Sequence, residues 1–126
     1  MPHVVLEGNV NIEEFFNSFK KVFFRSSDGS IIVRLDEILV NSLRTRLLIK
    51  ATSVDNGVSR SYYISILVKD SSVTVRLDEL TDPDKSHGVK MSLALVAKML
   101  IAKNGMNIAR TNIGEYLDKV IYDQTS

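Results

Sequence analysis

A short turn sequence near the middle of the chain constrains the fold most. Asp55-Asn56-Gly57 separates two segments in which apolar and polar residues alternate. Asn-Gly is typical of tight β-hairpins, because both central residues of that turn have positive φ. The pattern predicts an antiparallel pair of strands. The first covers 43–52, and the inward-facing residues of the second are Tyr62, Ile64, Ile66 and Val68.

Two segments have the 3.6-residue periodicity of amphipathic helices. The first begins at Asn11, where Glu14 completes the spacing of a capping box, and its apolar stripe reaches Phe23. The second covers Val89 to Ala102 and ends at Asn104-Gly105, a typical C-terminal cap. Because this second helix is apolar on two sides, we expect it to contact both a sheet and another subunit.

The remaining segments suggest short strands. We predict strands at His3–Glu7, Val73–Leu80, Met106–Thr111 and Val120–Tyr122, whereas Ile31–Val40 fits either a strand or a short helix. The order strand, helix, strand then occurs twice. It favours an α+β fold in which two β-α-β halves form one mixed sheet with both helices on one face. We expect residues 1–126 to form a single domain, since this length is typical of one.

Composition excludes several kinds of site. There is no cysteine and there are only two histidines, so thiolate chemistry is excluded and a histidine metal cluster is not expected. The net charge of +1 argues against a nucleic-acid-binding protein, which normally has a basic excess. No apolar run is long enough for a membrane span, and no signal-peptide pattern is present. We therefore expect a cytoplasmic protein that needs no cofactor and contacts no membrane.

Three motifs in the first half of the chain follow one another at a familiar spacing. They are Met1-Pro2-His3-Val4-Val5-Leu6-Glu7 with Asn11-Ile12-Glu13, then Leu43-Arg44-Thr45-Arg46, then the Asp55-Asn56-Gly57 hairpin with a strand ending at Lys69. In this order they resemble the 5-carboxymethyl-2-hydroxymuconate isomerase family of the tautomerase superfamily. The resemblance covers roughly residues 2 to 69.

The resemblance implies a trimer of β-α-β-β-α-β subunits that moves a proton within a small unsaturated keto or enol carboxylic acid. Pro2 would be the catalytic base once Met1 is removed, because burial lowers the pKa of a secondary amine toward neutrality. Arg44 and Arg46 would bind the substrate carboxylate. Lys69-Asp70-Ser71-Ser72 replaces the family's glycine-rich turn with its arginine, and Arg76 is the nearby candidate for that role.

Other interpretations of the same residues stay open. Pro2 is also a common way to open a strand, and Arg44, Arg46 and Lys50 also fit the solvated face of a half-exposed strand. His3 and His87 fit structural or surface positions. As alternatives to an enzyme, the chain could be a non-catalytic oligomeric interaction module. A weak nucleic-acid-binding protein using Arg44, Arg46, Lys50 and Arg60 is a further alternative that the balanced charge disfavours.

Overall fold

The computed structural model describes residues 1–122, and within them the chain forms seven strands and three helices. In chain order these are β1 (His3–Glu7), α1 (Ile12–Ser18), β2 (Val22–Arg25), β3 (Ile31–Val40), β4 (Arg46–Asp55), β5 (Val58–Lys69), β6 (Ser72–Leu77), α2 (His87–Asn104), β7 (Asn107–Thr111) and α3 (Gly114–Lys119).

The strands form one sheet in the order β2-β3-β4-β5-β6-β1-β7. Every neighbouring pair is antiparallel. Strands β2 to β6 follow one another through short connections, which is the arrangement that antiparallel pairing allows. The N-terminal strand β1 then lies between β6 and β7, and the two edges of the sheet are the short strands β2 and β7.

One face of the sheet carries the core. Along β4 to β6 alternate side chains are fully buried, as strand geometry requires, and they pack against α2, which also contacts β3 and β1. Phe15 of α1 and Tyr116 and Leu117 of α3 belong to the same core. The sheet therefore curls around α2 on one side, and its other side, here called the outer face, is left without a helix in residues 1–122.

The predicted β-α-β-β-α-β subunit with a mixed sheet is wrong. Neither β1-α1-β2 nor β6-α2-β7 is a crossover between parallel neighbours. The segment α1 carries the chain from β1 to the far edge of the sheet, and β1 lies between β6 and β7. The Asp55-Asn56-Gly57 hairpin is confirmed, with positive φ at Asn56 and Gly57. Ile31–Val40 is a strand, with a bulge between Leu35 and Glu37.

The first helix is shorter than predicted. Asn11 caps it by accepting a hydrogen bond from the Glu14 N–H, but Phe19 already has an extended conformation. Val22–Arg25 then forms the edge strand β2, because aromatic and β-branched residues suit a strand and β3 supplies the hydrogen-bond partners. Val22 packs on the core as the predicted stripe required, whereas Phe23, the last residue of that stripe, is 62% exposed and Phe24 packs on the core in its place.

The second helix is confirmed and slightly longer than predicted. Ser86 caps its start, and Gly105 ends it in the left-handed conformation. Its second apolar side is covered in part by α3, which was not predicted. Val120–Tyr122 is not a strand. No helix within residues 1–122 is long and apolar enough to cross a bilayer.

Candidate functional site

The four residues predicted to form a site lie in three parts of the molecule. Pro2 is buried, and strand alternation puts it with Val4 on the side of the sheet that faces the helices. Its nitrogen belongs to the Met1–Pro2 peptide bond. Arg76 pairs in register with His3, so its side chain lies on the outer face. Arg44 is exposed in the turn between β3 and β4, where it has positive φ and binds Glu13.

The structure does bring Arg46 and Arg76 together. They lie on β4 and β6, on either side of Ser65, and each has a buried Nε without a hydrogen-bond partner in residues 1–122. Arg46 donates to Ser65 and forms an ion pair with Asp78, whose side chain is 0% exposed. Arg76 is 3.7 Å from Glu79. The two guanidinium groups thus already have acidic partners on an open sheet face.

The Asp78 carboxylate is held in its ionised form. Burial raises its pKa, but hydrogen bonds from Ser65, from the Leu80 N–H and from Arg46 outweigh burial, so the net pKa lies below its usual value. A buried carboxylate needs such partners because an unpaired buried charge is costly. Arg46 therefore has a structural role: its positive charge stabilises the buried, ionised carboxylate of Asp78.

A separate concave site lies where the sheet opens at the start of α2. We call it the α2 cleft. Its volume is about 770 Å³, within the usual range for small-molecule sites. The β2–β3 turn, the β4–β5 hairpin, the first turns of α2 and the end of α3 surround it. The lining residues used below are Asp28, Asp55, Arg60, His87, Lys90, Met91 and Lys119.

Asp55 fixes the floor of the α2 cleft. One of its carboxylate oxygens accepts a hydrogen bond from the Gly88 N–H at 2.7 Å, and the other accepts one from Arg60 at 3.2 Å. A side chain at Gly88 would put its Cβ 2.7 Å from the Asp55 carboxylate, so glycine is required for this close approach. The free N–H at the start of α2 is therefore already occupied by a carboxylate of the protein itself.

Three basic side chains gather around Tyr116 at one wall of the cleft. His87 Nδ1 lies 2.6 Å from the Tyr116 hydroxyl oxygen. The ammonium nitrogens of Lys90 and Lys119 lie 5.6 and 5.2 Å from the centre of the same ring. Burial, followed by the nearby charges of Glu115 and Asp55, raises the pKa of Tyr116, so its hydroxyl keeps its proton.

The charges of this wall are only partly balanced. Arg60 is paired with Asp55 and Asp84, whereas Lys90 and Lys119 take part in none of the ion pairs within residues 1–122. Both ammonium groups approach the face of one tyrosine, an arrangement that attracts cations but does not neutralise them. The wall therefore has two positive charges available to an anion.

A serine-rich turn between β2 and β3 also lines the cleft. Asp28 accepts hydrogen bonds from the Ser26 hydroxyl and from the Ser30 N–H and hydroxyl. The Ser30 N–H and then the two hydroxyls lower the Asp28 pKa to about 2. The lining of the cleft thus includes an anionic turn as well as cationic side chains. No group of three histidine or acidic residues suited to a metal ion occurs in the part of the chain that the structure describes.

Comparison of the chain with protein-family models, with curated proteins and with solved structures gives no match. The residues of the α2 cleft carried no recognisable sequence signal. His87 and Tyr116 are 29 residues apart, and the sequence assigned His87 a structural or surface position. The helical periodicity of α2 places His87 and Met91 one turn apart, and this spacing could have predicted that these two residues lie on the same face of the helix.

Proposed function

We propose that this protein binds a small anionic molecule, with a carboxylate or phosphate group, in the α2 cleft. The observation that carries the proposal is that Lys90 and Lys119, which form no ion pair within residues 1–122, both place their ammonium groups over the ring of Tyr116. A small carboxylate ligand was already expected from the sequence, on different residues. Activity as an isomerase, trimer assembly and a cytoplasmic location remain separate hypotheses.

The geometry favours binding between the lysines and Tyr116 over binding at the helix terminus itself. Asp55 already accepts the Gly88 N–H and repels a second anion at that point. Lys90 and Lys119 line the same concave space and form no ion pair in residues 1–122, although the Asp55 and Glu115 charges act on the tyrosine beside them. Charge-assisted hydrogen bonds to an anion are stronger than neutral ones. The His87 imidazole, kept in place by Tyr116, adds a further polar contact.

Proton transfer by Pro2 has less support. That mechanism needs a free prolyl amine close to guanidinium groups. Pro2 faces the helices, Arg46 and Arg76 lie on the outer face, and Arg44 lies in the β3–β4 turn. A non-catalytic interaction module has no specific contact in its favour among the described residues.

The proposal is tested by calorimetric titration of the purified protein with acetate, citrate, phosphate and pyrophosphate. We expect the multivalent anions to bind more tightly than acetate, with affinity falling as salt is raised. Lys90→Ala and Lys119→Ala should each raise Kd about tenfold, which corresponds to about 1.4 kcal/mol. Lys98→Ala is the matched control, because Lys98 is on α2 but does not line the α2 cleft.

Two results would count against the proposal. One is the absence of heat and of competition with all four anions. The other is equal weakening by Lys98→Ala and by the two cleft variants, since this would indicate a general charge effect and no defined site.

A further inference from the structure

We infer that a second cavity, beside the edge strand β2, binds a single-chain anionic amphiphile such as a medium-chain carboxylate. We call this cavity the β2 groove. It has a volume of about 750 Å³ and is separate from the α2 cleft in its lining residues. It is lined by Ser18, Lys20, Lys21, Val22–Phe24, Leu95, Met99, Lys103, Ile121 and Tyr122. The inference does not depend on the function proposed for the α2 cleft.

The apolar part of the β2 groove comes from β2 and α2. Leu95 and Met99, one helical turn apart, line the groove and are almost fully buried. Phe23 and Ile121 line the same groove, with exposed fractions of 62% and 78%. Exposed apolar surface that borders a cavity often marks a binding groove. An alkyl chain placed over them would remove apolar surface from water.

The polar part of the groove is cationic. Lys20, Lys21 and Lys103 line it, and none of them takes part in the ion pairs found within residues 1–122. Lys103 donates a hydrogen bond to the Ser18 hydroxyl at 3.2 Å. Within residues 1–122 no acidic residue lines the groove, although Glu14 lines a small cavity that shares Ser18 and Lys103 with it.

This combination defines the ligand class. Three ammonium groups favour an anionic head, and the adjoining apolar surface favours a chain, so a ligand with both complements the groove better than either part alone. A small anion such as phosphate would leave Phe23 and Ile121 exposed. A neutral chain would leave the lysines without a partner.

The methionines of the chain provide reporters for the test. With methyl groups labelled by carbon-13, Met99 reports on the β2 groove, Met91 on the α2 cleft, and the buried Met106 on neither. We expect octanoate to shift the Met99 resonance and to leave Met91 and Met106 in place. Affinity should rise from hexanoate to octanoate to decanoate by about fourfold per added methylene that becomes buried.

The lysines are tested with a triple variant, Lys20→Ala, Lys21→Ala and Lys103→Ala, whose positions are exposed and should not affect folding. We expect it to raise the octanoate Kd about tenfold or more. Lys50→Ala, at an exposed position on the outer face, should leave it unchanged. The triple variant should also keep the anion binding of the α2 cleft, so failure of one proposal is distinguishable from failure of the other.

Four results would overturn the inference. They are an unmoved Met99 resonance with all three carboxylates, a shift of Met91 in place of Met99, octanol binding as tightly as octanoate, and binding to anionic lipid vesicles with no binding of monomeric carboxylate. The last result would assign the groove to a membrane surface.

Discussion

The Asp55 carboxylate accepts a hydrogen bond from the Gly88 N–H at 2.7 Å and thereby ties the β4–β5 hairpin to the start of α2. The same carboxylate binds Arg60. The sheet and the central helix are therefore connected at the floor of the α2 cleft. Any change that separates Asp55 from Gly88 should affect both the stability of the fold and the shape of the cleft.

Gly88→Ala tests this connection. The added Cβ would lie 2.7 and 3.0 Å from the two Asp55 oxygens and 3.0 Å from the Ser53 Cβ, so the hairpin or the helix must shift. We expect the free energy of unfolding to fall by about 1–2 kcal/mol, measured by urea denaturation. Gly114→Ala is the control. There the nearest atom is Thr111 Cγ2 at 3.8 Å, and the stability should be unchanged or slightly higher. Equal effects of the two substitutions would contradict the role of Gly88.

Arg46→Ala tests the assignment of Arg46 to stability. The substitution leaves the buried Asp78 carboxylate without its ion-pair partner. We expect the free energy of unfolding to fall by about 2–3 kcal/mol. Arg34→Ala removes a comparable arginine from the outer face of β3. Its side chain is 55% exposed and its partner Asp36 is not fully buried, so the loss should be under about 1 kcal/mol. Thermal denaturation of both variants at neutral pH gives the comparison. A loss of stability in Arg34→Ala larger than that in Arg46→Ala would contradict the structural role of Arg46.

Acid should weaken the fold through Asp28 and Asp78. Both carboxyls have a folded-state pKa below their ordinary value of 3.8, and for Asp28 it is about 2. A depressed pKa adds stability above the unfolded-state pKa, and that stability is lost as the pH falls through the folded-state value. We therefore expect unfolding midpoints in urea to fall steadily between about pH 4 and pH 2. In Asp28→Asn the fall over this range should be smaller, and an identical pH profile would show that Asp28 does not contribute.

Tyr116→Phe separates the two roles of that residue. The ring that faces Lys90 and Lys119 is kept, whereas the hydrogen bond to His87 is lost. We expect anion affinity to fall by a factor of about 2–10, because the imidazole loses its fixed orientation. Calorimetric titration with pyrophosphate measures the change. Unchanged affinity would mean that His87 takes no part in binding, and the lysines alone would then define the site.

The parts of the fold that could be predicted from the sequence are those set by local chemistry. Asn56-Gly57 predicted the hairpin, and apolar periodicity with the Asn104-Gly105 cap predicted the long helix α2, although its N-cap at Ser86 was not identified. Strand β2 was missed because its apolar residues continue the stripe of α1, and only pairing with β3 makes them a strand. The position of β1 between β6 and β7 also depends on contacts between distant segments, such as Val4 with Val75 and Thr111.

The candidate site was harder to predict than the fold. Arg76 was predicted as the candidate for the missing arginine of the turn, and the structure puts it beside Arg46 on the outer face, whereas Pro2 faces the helices and Arg44 lies in the β3–β4 turn. No sequence pattern linked Arg46 to Asp78, and the ion pair between them accounts for the position of Arg46. The α2 cleft joins residues from four separate elements. A lysine has no sequence signature for such a role, so Lys90 and Lys119 become notable only when both are found beside Tyr116.

The most direct test of the α2 cleft uses the protein with carbon-13 methyl-labelled methionine, titrated with pyrophosphate and with citrate. Met91 lines the cleft, whereas Met99 and Met106 do not. We predict a saturable shift of the Met91 resonance that is weakened in Lys90→Ala and Lys119→Ala, with Met99 and Met106 unmoved. A Met91 resonance that stays in place at millimolar anion would contradict the proposed site. So would a Met91 shift that is as large in each lysine variant as in the unmodified protein.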